Sequence, residues 1–208
     1  MKRIFIIGNA PGQEAIHSLF HKDDTIIRFN QPSEQCQQAY GNRTDILFSI
    51  NTWKFVQKRI QANLLENVQL TQCRQIVLPY HPSILQNYNR QPSWFSACFK
   101  AKKIDGTVEA IGYFGQKFPV TVLSRNFYLE CCQLLKIQEH ELKDKVPSTG
   151  FMSIMYFLNN FPESTIYIHG FSWEGWDGHE WDTERNVINQ LLIEQKISWA
   201  KNLLNPPI

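Results

Sequence analysis

The chain reads as a single α/β domain, Rossmann-like, with a mainly parallel sheet and helices on both faces. Three observations predict this. Six short runs rich in Ile, Val and Phe show little polar alternation, as strands covered on both faces do. Segments with helical character fall between most of them. At 208 residues the chain is long enough to bury a full core as one domain, 1–208.

The expected strands are Arg3–Ile7, Thr25–Phe29, Ile46–Ile50, Gln75–Leu78, Val120–Leu123 and Thr165–His169. Helices are expected at Gln13–Phe20, Trp53–Leu65, Asn126–Leu135 and Gly150–Asn160. A longer terminal helix is expected from about Thr183 to Leu204, with Ile188, Leu191, Leu192, Trp199 and Leu203 as its apolar stripe. The segment Pro79–Lys117 is the least regular. It carries Pro79, Pro82, Pro92 and the pair Trp94-Phe95, and reads as a loop with one or two short helices, a candidate flap or lid over a site.

Composition narrows the function. Hydrophobic content of 43% with 19% charged residues is that of a soluble globular protein. A net charge of +2 is too small to imply nucleic acid as a partner. No apolar run approaches the ~20 residues of a membrane span. Lys2-Arg3 leads into only a short apolar run before Gly8-Asn9, unlike a signal peptide, so a cytoplasmic location is expected. Five cysteines without C-x-x-C spacing argue against a disulfide framework or a zinc site. All five, including the adjacent Cys131-Cys132, are expected to be reduced thiols without a chemical role.

Ligands of parallel sheets bind beyond the carboxyl ends of the strands, and several polar motifs fall there. Gly8-Asn9-Ala10-Pro11-Gly12 follows the first strand, yet neither the dinucleotide fingerprint nor a Gly-Lys-Ser/Thr phosphate loop is present. Strand two ends Arg28-Phe29-Asn30, without the acidic residue of an NAD site. Gly170-Phe171-Ser172-Trp173-Glu174 fails the nucleophile-elbow pattern at its last position. No Asp-x-Asp occurs to hold a metal-bound nucleotide diphosphate.

What remains is amides, hydroxyls and histidines. Asn9 and Asn30 each carry a donor and an acceptor suited to a ribose or a pyrimidine edge, or are simply turn residues. Pro147-Ser148-Thr149-Gly150 opens a helix. Its free amides and hydroxyls suit an anion, and Ser and Thr equally suit an N-cap. His179 lies in the loop after the last strand, where a neutral imidazole could take a proton from a hydroxyl. Glu184 falls in the first turn of the terminal helix, with Asp182 or Thr183 as its cap. His169 ends strand six and can face site or core. His17, His21, His81 and His140 read as surface residues. Trp173, Trp176 and Trp181 crowd one loop, as sugar-stacking rings or as a packed lid.

Taken in order, these segments resemble the sialyltransferase family whose members share motifs L, S, III and VS. Ile6-Ile7-Gly8-Asn9, Ile27-Arg28-Phe29-Asn30 and Gly41-Asn42-Arg43-Thr44 resemble motif L. Pro147–Gly150 resembles motif S, and His179 with Glu184 resembles the His-x4-Glu of motif VS. Motif III has no clear equivalent, the motif L to motif S cysteine pair is missing, and residues 45–140 are unmatched. The resemblance implies a GT-A-like variant of the Rossmann-like fold and an inverting, metal-independent glycosyltransferase using a CMP-sugar, above all CMP-sialic acid, with a glycan acceptor. No cofactor is implied beyond that donor, and no metal site. It implies His179 as general base, Glu184 ordering its loop and His169 as the rival catalytic residue. Gly8, Asn9, Asn30, Ser148, Thr149 and Gly150 would hold the nucleotide. Alternatives are a transferase for another CMP-sugar such as a ketodeoxyoctonate, or a nucleotide binder without activity.

Overall fold

The computed structural model describes residues 2–11, 14–31, 34–88 and 104–204. Seven strands form one sheet: Arg3–Ile7 (β1), Thr25–Phe29 (β2), Ile46–Phe48 (β3), Gln75–Leu78 (β4), Val120–Val122 (β5), Thr165–His169 (β6) and Ser198–Trp199 (β7). Their order is β5-β4-β3-β2-β1-β6-β7, and every strand pairing is parallel. The α/β, Rossmann-like expectation is what the chain adopts.

Alternation along β1 explains the layering. Ile4 and Ile6 face a core built with Tyr128, Phe151, Phe157 and Ile188, whereas Phe5 and Ile7 face Ile16, Cys36 and Tyr40. The helices are Glu34–Tyr40 (α1), Trp53–Gln61 (α2), Pro82–Tyr88 (α3), Thr107–Phe114 (α4), Arg125–Leu134 (α5), Thr149–Asn160 (α6) and Trp181–Ile193 (α7). Ser124 and Ser148 cap α5 and α6, each hydroxyl accepting from the amide three residues on. The described cysteines, Cys36, Cys73, Cys131 and Cys132, are buried free thiols.

Several elements differ from expectation. The terminal helix stops at Ile193, because Gln195 turns left-handed (φ 57°) and the Gln195 and Lys196 amides close back on Leu192 and Leu191. The chain then adds β7 to the sheet and follows it with a 3₁₀ turn, Ala200–Leu203. Within Gln13–Phe20, the described residues form only a 3₁₀ turn, His17–Leu19, beside the buried Ile16. Helix α2 ends four residues early, since Asn63 is left-handed (φ 47°) and Leu64–Glu66 tightens into a 3₁₀ turn. β3 ends at Phe48 rather than Ile50 because the Ile50 amide donates to the Asn30 side chain and not to a neighbouring strand.

Helix α1 was not expected, and Gly41, left-handed at φ 74°, closes it. Trp94-Phe95 and Cys98 lie outside the described residues. The far end of the candidate flap is core: Ala110 and Phe114 of α4 are fully buried beside Val56 of α2.

Candidate functional site

Three consecutive strands of the sheet, β1, β2 and β3, each run out into an asparagine: Asn9, Asn30 and Asn51. Asn9 is exposed and its Nδ2 donates to the Phe29 carbonyl at 3.1 Å. Asn30 takes a left-handed turn (φ 52°), which asparagine tolerates. Its Oδ1 accepts from the Ile50 amide at 3.0 Å and from Arg59 Nη2 at 2.5 Å. Asn51 is fully buried and brackets Tyr80, donating to its carbonyl at 2.8 Å and accepting from its amide at 3.2 Å. It also donates to Thr107 at 2.7 Å.

Beside these strand ends lies a cavity of about 610 Å³. Asn30, Tyr80, Tyr128, Lys143 and His179 supply its polar groups, and Ile50, Phe55, Ile84, Leu85 and Leu142 its apolar walls. Burial pushes the Tyr80 phenol up to about 12, and its hydroxyl bonds the Thr149 side chain. The Tyr128 phenol is raised further by burial. Both stay neutral at physiological pH. Among the described residues no carboxylate lines the cavity, while the exposed Lys143 is part of its lining, which favours an anionic ligand.

His179 is held from below. Its Nδ1 lies 2.8 Å from the Val146 carbonyl, which can only accept, so Nδ1 carries the proton and Nε2 keeps a lone pair. Burial lowers the imidazole below its ordinary value, only partly offset by the Val146 bond. The ring is therefore neutral near pH 7. Trp176 and Trp181 stand edge-on to it at 5.1 and 4.8 Å. The loop is zipped to residue 146 by Val146 N–H donating to Gly178 O, and Lys145 pairs with Glu180. A Cβ at Gly178 would fall 2.3 Å from the Trp176 ring, so a side chain there would displace that ring.

Glu184, expected to order the loop of His179, is not among the residues that line the cavity. It is fully buried, and its two oxygens accept from the Ser148 amide at 2.7 Å and the Ser148 hydroxyl at 2.6 Å. Burial raises this carboxyl to about 7 despite those bonds. The protein's own carboxylate thus occupies the start of α6. The Ser148 hydroxyl also accepts from Phe151 N–H at 3.0 Å, and its one proton is committed to Glu184, so it has no donor left for an anionic ligand. Thr149 is buried at the same turn. Gly150 is a glycine because a Cβ would lie 2.7 Å from the Phe171 ring.

His169 takes the other side of the sheet. It is fully buried, with Nε2 3.0 Å from the Glu14 carbonyl and its ring edge-on to Tyr40 at 4.8 Å. It does not line the cavity. Gly8 is buried against the end of β6, where a Cβ would sit 2.1 Å from the Gly170 carbonyl oxygen. Of the tryptophans, Trp173 stacks on Phe171 (5.4 Å, 23°), and Trp176 remains 61% exposed at the cavity. Of the supposed surface histidines, His81 is half-buried and bonds Ser83 at the start of α3.

Sequence reading missed Arg59, Tyr80, Tyr128 and Asn51. The recurrence of asparagine after three successive strands was a legible signal for Asn51. Nothing local marks the two tyrosines, which enter from α5 and from the end of β4. Among the described residues no three His, Cys, Asp or Glu side chains cluster as metal ligands, and no helix is long and apolar enough to cross a membrane.

No known family and no curated protein matches the sequence. The fold, in contrast, is that of solved sialyltransferases. The chain is similar to sialyltransferase CstII from Campylobacter jejuni in complex with a substrate analogue, CMP-3FNeuAc, at 19% identity, TM-score 0.57, covering 98% of this chain and 83% of that one. A point variant of Cst-II in complex with CMP gives 15% identity and TM-score 0.59 over 97% and 82% of the two chains. A second Cst-II variant with CMP gives 16% and 0.56 over 99% and 89%.

Proposed function

We propose that the chain transfers a sugar, sialic acid, from its CMP-activated form to a hydroxyl of a glycan acceptor. The observation that carries this is His179, proton-fixed at Nδ1 by the Val146 carbonyl and lining a cavity that Asn30 also lines. The fold shared with CMP-bound sialyltransferases supports the donor class.

In this reading Nε2 of His179 takes the acceptor hydroxyl proton as that oxygen bonds to the anomeric carbon from the face opposite CMP. The bond from that carbon to the phosphate oxygen breaks, CMP departs with the electron pair, and the configuration inverts. Asn9 and Asn30 hold the nucleotide beside Gly8. The Thr149 and Gly150 amides, in the first turn of α6 directly after the occupied Ser148, face the ribose or phosphate. Glu184 positions this turn and, through α7, the loop carrying His179. Lys143 attracts the anionic donor. CMP carries less charge than a nucleotide diphosphate and can leave without a metal, so the reaction proceeds in excess EDTA. A ketodeoxyoctonate or another CMP-sugar would follow the same steps.

The test is CMP release from CMP-sialic acid with and without acceptor glycans, in EDTA. Acceptor-dependent release is expected. Tight CMP binding with no release under any acceptor would instead mark a nucleotide binder.

A further inference from the structure

We infer that Arg59 is a positioning residue that fixes the Asn30 amide in one orientation and thereby selects cytosine over uracil. The inference rests on the reading of the cavity as a CMP-sugar site and adds how the base is chosen.

Arg59 is only 4% exposed on α2, yet no carboxylate pairs with it among the described residues. Its guanidinium donates to the Ile50 carbonyl at 3.1 Å and to Asn30 Oδ1 at 2.5 Å, with the Phe55 ring 5.5 Å away. Its Nε has no partner. Burying a cation without a counter-charge is costly, so what it holds matters. A guanidinium has donors and no acceptor, and so does the Ile50 amide. Both converge on one atom of Asn30, which must be the oxygen. The amide nitrogen, with two hydrogens, is left for the cavity that Asn30 lines.

A side chain locked this way offers donors only. Cytosine presents adjacent acceptors, N3 and O2, on one edge. Uracil places an N–H at the same ring position, which would meet the Asn30 hydrogens head-on. A freely rotating asparagine would accept either base by turning over. The one pinned by Arg59 cannot.

The test is calorimetric titration of the full chain with CMP and with UMP, read as the ratio of the two affinities. The unmutated chain should favour CMP by at least about tenfold, the order expected of a charge-assisted hydrogen bond held in place. Asn30→Asp is nearly isosteric and keeps both pinning bonds while replacing the donor end by an acceptor. Its added charge repels both phosphates alike, so the ratio should swing toward UMP. Arg59→Gln removes the shorter of the two bonds that pin Oδ1 and leaves the Ile50 amide, so its ratio should fall part of the way toward one. Arg59→Lys, which still donates, should recover part of the preference. Equal losses of CMP and UMP affinity in these variants, with the ratio unchanged, would reduce Arg59 to a structural role and overturn the inference. CMP binding without preference in the unmutated chain overturns it too, leaving the site reading intact. Failure to bind CMP at all overturns both.

Discussion

His169 and His179 stand ten positions apart, at the end of β6 and in the loop that follows it. Electronically they are near twins. Each commits one ring nitrogen to a backbone carbonyl, Glu14 at 3.0 Å and Val146 at 2.8 Å, and burial lowers the basicity of both. They differ in where the other nitrogen looks. That of His169, Nδ1, is sealed in the protein with no partner, whereas His179 lines a cavity. A general base is thus selected here by access rather than by tuning. A depressed pKa and a fixed tautomer describe a core histidine equally well.

The sharpest way to break this comparison is to remove each ring in turn. His179→Ala should lower kcat by about 10²–10⁴-fold, the contribution of a positioned base, with CMP affinity nearly intact by calorimetry. His169→Ala should leave kcat close to the parent value and instead cost about 1–3 kcal/mol of stability as a buried truncation. Reversed outcomes would move the chemistry to the other side of the sheet.

Next in size is the tie beneath the site. Glu184→Ala strands the buried Ser148 amide and hydroxyl, at a cost of about 2–4 kcal/mol in urea unfolding. An unchanged midpoint would show that α6 is anchored without Glu184.

Smallest are the pH effects, and they have opposite signs. The imidazoles of His169 and His179 sit below their ordinary 6.5 in the folded chain, so their contribution is present above that value and lost on acidification. Glu184 sits at about 7 against an ordinary 4.5, so its contribution is fully present below 4.5 and lost as pH rises through 7. Glu184→Gln should therefore gain stability relative to the parent between pH 5 and pH 8.5. The acid limb of kcat should lie below pH 6.5, since burial and not a neighbouring carboxylate governs His179.

Much of the fold was legible because it depends on local pattern. Strands such as β1 and β2 are β-branched and aromatic runs ended by Gly8 or Asn30, and buried parallel strands carry their own signature. The terminal region was not, because the helix stops at Ile193 on a left-handed Gln195, a conformation usually marked by glycine. The pairing of Ser198–Trp199 with β6 that follows is non-local and has no counterpart in the local pattern. In the site, His179 was visible from spacing and Asn30 from its place after a strand. Arg59 could not be, since an arginine on an amphipathic helix normally faces water. Ser148 shows the opposite error. Its motif suits an anion, and the anion it holds is the protein's own Glu184.

The sheet order also sets a schedule for folding. β1 lies in the interior of the sheet, yet one of its two partners, β6, is encoded roughly 160 residues later, with Arg3 opposite Thr165. At typical elongation rates the ribosome needs about 10–30 s to cover that distance. During that interval β1 can pair with β2 while its other edge, Ile4 to Ile7, has no strand to meet. An unpaired apolar edge invites association with other chains. The nascent polypeptide therefore passes through a prolonged window in which that edge of β1 lacks the strand that covers it in the folded chain.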